Sequence, residues 1–457
     1  MNHAFSSLPL RNELLDNLAT LNYEHMTPVQ AASLPITLNN KDILAQAKTG
    51  SGKTAAFSLT ILNKLQVDLY YVQALILCPT RELAEQVSQA LRRYARLLHN
   101  VKVLNLSGGM AMRPQVDSLR HGAHIIVGTP GRVQKHLNEN NLSLAKLQTL
   151  VLDEADRMLD MGFFDDMQAI ISQCPARRQT LLFSATYPDE IKLIAKQFMQ
   201  NPQEVIIASE PEQLDIAQLF FEVQHQSDKF PLLKSLLQHY QPESTLIFCN
   251  TKLQTDELTE QLIKSGFSAA ALNGDMEQIE RDHAVIRFAN KSCQILVATD
   301  VAARGLDIKE LPAVINYDLA FEKDVHTHRI GRTGRAGNKG IALSLSTPAD
   351  AVRIVAIEDN LGHGVKWGKA TDLNESGQKI LKPAMVTLRL AAGKRDKIRA
   401  GDILGALTKD AGLPGEAIGK IDITALYSYV AVNREYAEKA YQHFLNGKLK
   451  GRKVRVS

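Results

Sequence analysis

Short, continuous apolar runs recur along most of this 457-residue chain, and amphipathic stretches separate most of them. A run that is apolar at every position is typical of a strand buried on both faces, as in a parallel sheet covered by helices. Amphipathic helices are predicted over residues 82–98 and 252–264, among others. The apolar runs form two series, at residues 74–78, 101–106, 124–127, 147–152 and 180–183 and at residues 244–249, 268–272, 293–298, 313–317 and 340–344.

The two series predict two α/β domains of parallel-sheet type. Residues 201–216 lack the alternation of runs and include two prolines, which indicates a linker between the domains. Residues 361–382 are rich in Gly, Lys and polar residues and predict a second linker. We therefore expect domain boundaries at 1–205, 206–365 and 383–457.

The last of these segments shows a different order of elements, βαββαβ, which predicts a small α+β domain of the RNA-recognition-motif type. The segments are 385–390, 402–407, 421–424, 427–432, 435–445 and 453–456. Residues 383–457 contain 14 basic and 7 acidic residues, whereas the remainder contains 39 basic and 42 acidic residues. A basic tail on a slightly acidic body indicates a polyanionic partner, although a solvated basic surface explains the excess equally well.

The composition excludes several classes of protein. The hydrophobic fraction of 45% and the charged fraction of 22% are those of a folded chain rather than a disordered one. We find no apolar stretch of about 20 residues and no signal peptide, so no membrane association is expected. The four cysteines are widely spaced, without a Cys-x-x-Cys pair, which predicts reduced thiols and a cytoplasmic location.

Residues 47–54 read Ala-Lys-Thr-Gly-Ser-Gly-Lys-Thr and follow an apolar segment. Glycines allow backbone N–H groups to converge on phosphate oxygens, and the next helix offers its positive N-terminus. Lys53 would neutralise the outer phosphates, and Thr54 would bind Mg²⁺. The generic motif begins with Gly, whereas this chain has Ala47. The predicted triphosphate-binding residues are Gly50, Ser51, Gly52, Lys53 and Thr54.

Carboxylates follow the apolar run 147–152 where a strand is expected to stop. Asp153 suits the water shell of Mg²⁺, and Glu154 suits a base that polarises the attacking water. A lone acidic pair at a strand end is more often a helix cap or a solvated turn. Because this pair follows Lys53 in the chain, we interpret it as part of a phosphoryl-transfer site that uses ATP and Mg²⁺.

Residues 328–335 contain three arginines and two glycines. The planar, permanently charged guanidinium group suits a transferring phosphoryl group. We predict that Arg332 and Arg335 complete the catalytic site from the second domain. The alternative is a basic loop that binds phosphates of a nucleic acid.

These motifs, with others in a fixed order, resemble those of the DEAD-box RNA helicases, a family that has Ala at the position of Ala47. The resemblance implies two RecA-like domains and RNA-stimulated hydrolysis of ATP. The motifs lie at residues 27–30, 47–54, 79–84, 108–109, 129–132, 153–156, 184–186, 246–251, 278–281, 297–308 and 328–335.

The resemblance also assigns roles to single residues. Gln30 would recognise the adenine edge, Tyr23, with Phe5, would stack near the base, and Asp307 would bind the ribose. Ser184 and Thr186 would bond to Asp156 and couple hydrolysis to strand opening. The alternatives are a helix-start residue for Gln30 and simple core packing for Tyr23. The RNA backbone would contact Arg81, Gly109, Thr129, Arg132, Thr251, Thr299 and Arg304.

In the tail, Tyr427 and Tyr429 stand where stacking aromatics occur in such domains, but ordinary strand packing explains them as well. Basic side chains offer another RNA-binding surface. The whole chain resembles bacterial members of the family whose tails bind large-subunit (23S) ribosomal RNA in pre-50S particles, and a monomer is expected. The predicted tail contacts are Lys394, Arg395, Lys448, Lys450 and Arg452.

Two other functions were compatible with part of the pattern. One is a DNA or chromatin translocase of the wider two-domain helicase group, which the segments around Gln30 and residues 153–156 disfavour. The other is an ATP-gated RNA clamp with negligible turnover, which the presence of Lys53, Glu154 and Arg332 disfavours.

Overall fold

The structure is a computed structural model that describes residues 3–47, 50–186, 189–207, 216–303, 311–334, 339–373 and 380–457. The chain divides into two compact units, Met1–Pro211 and Glu212–Ser457. The second unit contains both the second parallel sheet and the small tail sheet. The domain boundaries expected from sequence stay predictions.

The first unit is built on a parallel sheet with helices on both faces. Its strands are β1 (Ile43–Gln46), β2 (Ala74–Leu77), β3 (Val103–Leu106), β4 (Ile125–Gly128), β5 (Thr149–Leu152), β6 (Gln179–Ser184) and β7 (Gln203–Ile206). Its helices are α1 (Asn12–Thr20), α2 (Pro28–Thr37), α3 (Lys53–Lys64), α4 (Arg81–Tyr94), α5 (Met112–Arg120), α6 (Pro130–Asn138), α7 (Ala155–Asp160), α8 (Phe164–Ser172) and α9 (Asp189–Phe198).

Within the described residues, the strand order of this sheet is β3-β4-β2-β5-β6-β1-β7, and every pairing is parallel. Along β2, Ala74 and Ile76 enter one apolar cluster, and Leu75 and Leu77 enter another. The alternation places the two clusters on opposite faces of the sheet. The apolar run of β2 is therefore buried on both faces, as the sequence predicted.

Residues 203–206, which the sequence assigned to a linker, instead form the edge strand β7 beside β1. Only Val205 of this strand is buried, while its neighbours are exposed. An edge strand with one buried side chain leaves almost no apolar signal, which explains the wrong assignment.

The second unit begins with another parallel sheet. Its strands are β8 (Ile216–Glu222), β9 (Thr245–Phe248), β10 (Ala269–Leu272), β11 (Ile295–Ala298), β12 (Ala313–Asn316) and β13 (Gly340–Ser346). Its helices are α10 (Lys229–Tyr240), α11 (Lys252–Lys264), α12 (Gln278–Ala289), α13 (Asp300–Ala303), α14 (Lys323–Ile330) and α15 (Ala351–Leu361). In the described part of this unit the strand order is β10-β11-β9-β12-β13-β8.

Part of the predicted second linker packs against this sheet. Phe220 of β8 donates its backbone N–H to Lys366 at 2.9 Å, and Gly368 donates to the carbonyl of Phe220 at 2.8 Å. A Cβ atom on Gly368 would lie 2.4 Å from the ring of Phe221. Residues 366–368 therefore extend the sheet edge rather than connecting domains freely, and the residue at 368 must be small.

The tail forms an antiparallel sheet with two helices on it. The elements are β14 (Met385–Leu390), α16 (Ala400–Gly405), β15 (Ile418–Ile423), β16 (Ser428–Asn433) and α17 (Arg434–Asn446), and the strand order in the described residues is β14-β16-β15. A single π-helical turn, Ala406–Asp410, prolongs α16.

The last predicted strand, residues 453–456, is not a regular strand in the structure. The chain end nevertheless pairs with β14, because Arg389 and Ser457 exchange backbone hydrogen bonds of 2.8 and 3.0 Å. An isolated antiparallel bridge joins Leu390 and Val456. The βαββα order is confirmed, and the final segment occupies the position of the last strand without a continuous ladder.

One face of the tail sheet packs on the second parallel-sheet domain. Tyr429 of β16 is 1% exposed, and its ring stacks on His283 of α12 with centroids 5.7 Å apart. The hydroxyls of Ser292 and Thr387 are 2.6 Å apart across the same contact. Tyr429 is therefore a packing residue, so its ring offers no open face to a base.

None of the helices in the described ranges combines the length and apolar character that a bilayer-spanning helix needs. The four cysteines have free thiols; Cys78, Cys249 and Cys293 are buried, and Cys174 is half-buried.

The contact between His283 and Tyr429 predicts a pH dependence of stability. Burial, then the charges of Arg287 and Arg389, lower the pKa of His283 to about 4. Asp282 also acts on Tyr429 at this contact. In the unfolded chain a histidine has a pKa of about 6.5. As the pH falls below this value, the unfolded state therefore binds a proton that the native state excludes. After a discount for partial exposure, this proton binding lowers the free energy of unfolding by about 1 kcal/mol at pH 5.

We expect a His283→Phe variant to retain the stacked ring and to lose this contribution. Between pH 7.5 and pH 5 its melting temperature should fall by about 2–4 °C less than that of the original protein. The exposed His363 offers a control, since His363→Phe should follow the original protein. Equal pH dependence in all three proteins would contradict the assignment.

Candidate functional site

The polar motifs of the first unit meet at the carboxyl edge of its sheet. Backbone hydrogen bonds continue past the strand ends, from Ala47 N to Ser184 O at 2.9 Å and from Asp153 N to Leu77 O at 3.0 Å. Ligands of open parallel sheets bind outside this edge, where loops from neighbouring strands converge. The segments after β1, β2, β5 and β6 therefore share one surface.

The predicted phosphate-binding loop, residues 47–54, requires glycine at its last position before α3. Gly52 has φ +98°, and a Cβ atom there would lie 2.4 Å from Nε2 of Gln30. Gly50 also has positive φ, at 87°. Lys53 begins α3, is buried, and donates from Nζ to the carbonyl of Ala47 at 2.8 Å. The lysine therefore points back over its own loop.

Ser51 and Thr54, beside these residues, are both half-buried. Lys48 and Thr49 of the motif lie outside the described residues. The predicted triphosphate-binding residues that the structure describes thus lie on the short segment from Gly50 to Thr54.

Gln30 lies in α2 and is almost fully buried. Its Oε1 accepts from Thr27 N at 2.9 Å, and its Nε2 donates to Gly52 O at 3.1 Å. The amide therefore links the start of α2 to the phosphate-binding loop, and the contact with adenine stays a prediction.

The two aromatic residues expected near the base differ in position. Tyr23 is half-buried, with its ring edge-to-face with Tyr94 at 6.0 Å and the two hydroxyls 3.4 Å apart. Phe5 is 2% exposed and belongs to the apolar core. Phe5 is therefore a core residue in this structure, and its stacking near the base stays a prediction.

Asp153 follows β5 and is buried. Burial raises the pKa of Asp153 to about 6; Lys53 opposes the rise, and Glu154 and Asp156 add to it. Among the described residues no group donates a hydrogen bond to Oδ1 of Asp153. A buried carboxylate oxygen without a donor fits a cation or its bound water, which makes the site compatible with Mg²⁺.

Glu154 is held by a partner that the sequence did not reveal. Its backbone is in the left-handed region, with φ 52°, at the cap of α7. Nη1 of Arg157 donates to Oε2 of Glu154 at 2.7 Å, and both side chains are largely buried. The spacing of three residues on a helix start is the only signal that could have indicated this pair.

Asp156 connects the carboxylate motif to the segment after β6. Its Oδ2 accepts from Ala185 N at 3.1 Å, from Thr186 N at 2.9 Å and from Thr186 Oγ1 at 3.0 Å. Oγ of Ser184 is buried and has no hydrogen-bond partner within the described ranges. The expected bond to Asp156 is thus made by Thr186 and the backbone, and not by Ser184, whose position ends the strand.

The RNA-contact residues predicted for the first unit lie along the same edge. Arg81 begins α4, and a Cβ atom on Gly108 would lie 3.2 Å from its Nε. Arg132 donates from Nη1 to Met110 O at 3.0 Å, and the charge of Arg81 acts on it. Gly109 has φ 76°, and Thr129 occupies the residue position immediately before α6. The structure thus brings these residues together.

In the second unit, a buried arginine joins three motifs. Arg329 is 1% exposed, and its Nε and Nη2 donate to the two carboxylate oxygens of Asp300 at 2.7 Å each. It also donates to Asp318 O at 2.6 Å and to Asn250 Oδ1 at 3.0 Å. Arg329 therefore orders the loops after β9, β11 and β12, and it is not oriented toward solvent.

Thr251 and Thr299 adjoin this network. Thr251 caps α11, because its Oγ1 accepts from Gln254 N at 3.2 Å. Thr299 accepts at its carbonyl from Ala303 N at 2.9 Å. Arg332 follows α14, and its carbonyl accepts from Leu311 N at 3.1 Å. Three further predicted residues, Arg304, Asp307 and Arg335, lie outside the described residues.

The two basic segments of the tail, residues 394–397 and 448–452, lie on one surface. Nζ of Lys450 donates to Lys397 O at 2.9 Å and to Asp402 at 3.2 Å. Arg452 lies 4.0 Å from Asp396. The exposed side chains of Lys394, Arg395 and Lys448 flank these contacts in sequence.

Comparison with known proteins identifies the family. Residues 27–194 match the DEAD/DEAH box helicase family, and residues 228–337 match the helicase conserved C-terminal domain. Residues 387–457 match the DbpA RNA binding domain. The chain therefore belongs to the DEAD-box family of ATP-dependent RNA helicases.

Two relatives and one solved structure illustrate the similarity. The chain is 50% identical over 454 residues to the ATP-dependent RNA helicase DbpA of Escherichia coli (strain K12), covering 99% of each chain. It is 43% identical over 373 residues to CshA of Geobacillus kaustophilus, covering 81% of this chain and 79% of the relative. S. cerevisiae Dbp5 bound to RNA and ADP BeF3 is 31% identical, with a TM-score of 0.73 over 81% of this chain and 96% of that chain.

Proposed function

We propose that this protein hydrolyses ATP to open or remodel RNA locally, and that its tail directs it to large-subunit (23S) ribosomal RNA. The observation on which this depends is the buried Oδ1 of Asp153, which accepts no hydrogen bond from any residue that the structure describes and lies beside the loop of Lys53 in a chain of DEAD-box type. A buried acceptor next to a phosphate-binding loop is the arrangement that a metal-bound triphosphate requires.

Each proposed site residue of the first unit has a separate role. Gly50 to Gly52 supply backbone N–H groups to the phosphates, and Lys53 neutralises their outer oxygens. Thr54 and Asp153 would hold Mg²⁺, which supplies positive charge for the phosphate oxygens. Glu154, oriented by Arg157, accepts the proton of the attacking water.

Coupling to RNA would pass through Asp156. Its carboxylate binds three donors of residues 185–186, so movement of the carboxylate motif moves that segment with it. Arg332 and Arg335 would stabilise charge on the transferring phosphoryl group. Because binding uses the sugar-phosphate backbone at Arg81, Gly109, Thr129, Arg132 and their counterparts Thr251, Thr299 and Arg304, the core would not select a sequence.

Selection would instead be a property of the tail. Its excess of basic residues, and the exposed basic surface around Lys450, suit an RNA partner such as a pre-50S particle. The covered ring of Tyr429 argues for binding through loops rather than through stacking on the sheet. We further propose that the protein acts as a cytoplasmic monomer.

The role of Glu154 is tested by Glu154→Gln. We expect the variant to bind ATP and RNA as before and to lose RNA-stimulated turnover by about a hundred- to ten-thousand-fold, because the amide cannot accept the proton. Single-turnover hydrolysis and fluorescence titration with a nucleotide analogue measure the two quantities. Glu260→Gln, at an exposed ion pair with Lys264, is the control and should be unaffected. Near-normal hydrolysis by Glu154→Gln would reject Glu154 as the base.

The targeting role of the tail is tested in the full chain by replacing Lys448, Lys450 and Arg452 together with alanine. Because phosphate contacts are lost, we expect the variant to lose its preference for a 23S ribosomal RNA fragment over an unrelated RNA of equal length. Turnover at saturating RNA should be retained. A matched triple variant removes the same charge elsewhere on the tail, at Lys409, Lys420 and Lys439. Equal preference in both triple variants would contradict a specific role for the surface around Lys450.

A further inference from the structure

A buried glutamine stands behind one of the proposed RNA-binding arginines. Gln115 of α5 is 7% exposed, and its Oε1 accepts from Nη1 of Arg132 at 2.9 Å. The same oxygen lies 2.9 Å from Nε2 of His136, which is fully buried one helical turn after Arg132. Neither Gln115 nor His136 belongs to the motifs that the sequence identified.

The orientation of the amide is fixed from its other end. Nε2 of Gln115 donates to the carbonyl of Ser107 at 3.1 Å. The amide NH₂ must therefore face Ser107, and the carbonyl oxygen must face Arg132 and His136. Because an amide oxygen can only accept, Nε2 of His136 donates to it. Burial, then the charge of Arg132, lower the pKa of His136.

The same contacts connect two RNA-contact segments. Ser107 precedes the Gly108-Gly109 turn, whereas Arg132 and His136 lie on α6. Nη1 of Arg132 also reaches Met110 O at 3.0 Å and Met112 Sδ at 3.7 Å. One nitrogen of the guanidinium is thus surrounded by acceptors, which holds the orientation of the planar group before any ligand binds.

We propose that Gln115, held by Ser107 and His136, is a positioning residue that orients Arg132 for the RNA backbone; this rests on the proposed RNA role of Arg132. A guanidinium with a fixed plane loses less side-chain freedom when it binds phosphate oxygens. Gln115 acts only through Arg132, so its loss should weaken RNA binding without changing nucleotide chemistry.

The test is Gln115→Met, which keeps the length of the side chain and removes both hydrogen-bonding groups. RNA-stimulated ATPase is measured against single-stranded RNA concentration at saturating ATP. We expect the half-saturating RNA concentration to rise about tenfold, with kcat and the KM for ATP within about twofold of the original values. An unchanged half-saturating RNA concentration in a folded variant, where Arg132→Ala raises it, would overturn the proposal.

A matched control distinguishes positioning from general stability. Gln73 is another buried glutamine of the same unit, and its Nε2 donates hydrogen bonds to the backbone carbonyls of Gln66 and Leu69. Gln73→Met should lower the melting temperature while leaving the half-saturating RNA concentration unchanged. A similar rise in both variants would assign a structural role to Gln115 and overturn the proposal.

The double variant separates the possible failures. With Arg132→Ala in place, adding Gln115→Met should have no further effect on RNA affinity, and an additive effect would overturn the proposal. If Arg132→Ala alone leaves RNA affinity unchanged, the proposed role of Arg132 fails, and the positioning role fails with it. Should Gln115→Met not fold, His136→Phe removes one donor to Oε1 and should raise the half-saturating concentration about threefold, again only when Arg132 is present.

Discussion

The structure of each large domain depends on the parallel pairing of its strands. Because every strand of a sheet ends at the same edge, loops that are distant in sequence are adjacent in space. In the first unit the bond between Ala47 and Ser184 joins the phosphate-binding loop to the segment that Asp156 holds. The carboxylates, the lysine and the loops of the proposed RNA contacts thus come together because of the strand order.

At the edge of each sheet, a buried charged group organises the loops. In the first unit this group is Asp156, whose carboxylate accepts from the backbone and side chain of residues 185–186. In the second unit it is Arg329, which binds Asp300, Asn250 and the backbone of Asp318. Removing one partner of a buried charged group strongly destabilises the folded state. Such groups therefore hold their loops in one arrangement. Fixed loops in turn give defined positions to the side chains that we propose for catalysis and RNA binding.

The sequence predicted those parts of the fold that are encoded locally. Residues 74–77 and 295–298 are apolar throughout and are buried strands, and the helix over 252–264 has the predicted bounds. The edge strand at Gln203–Ile206 could not be predicted, because backbone pairing with β1 forms it while most of its side chains face solvent.

The same distinction applies to the site. Lys53, Asp153, Glu154 and Asp156 could be located because their motifs combine residue type with position after a predicted strand. Contacts between distant residues leave no such pattern, and the pairing of Gln115 with Arg132 and the stacking of Tyr429 on His283 are two examples. A single sequence does not show whether a glutamine on an amphipathic helix is buried or solvated.

The proposed mechanism requires that Arg332 and Arg335 of the second domain complete a triphosphate site on the first domain. The most direct measurement is a crystal structure of the full chain with Mg²⁺, a nonhydrolysable ATP analogue and single-stranded RNA. We expect the guanidinium groups of Arg332 and Arg335 to lie within hydrogen-bond distance of the terminal phosphate, opposite Lys53. A complex in which nucleotide and RNA are both bound and neither arginine reaches that phosphate would contradict the proposed mechanism.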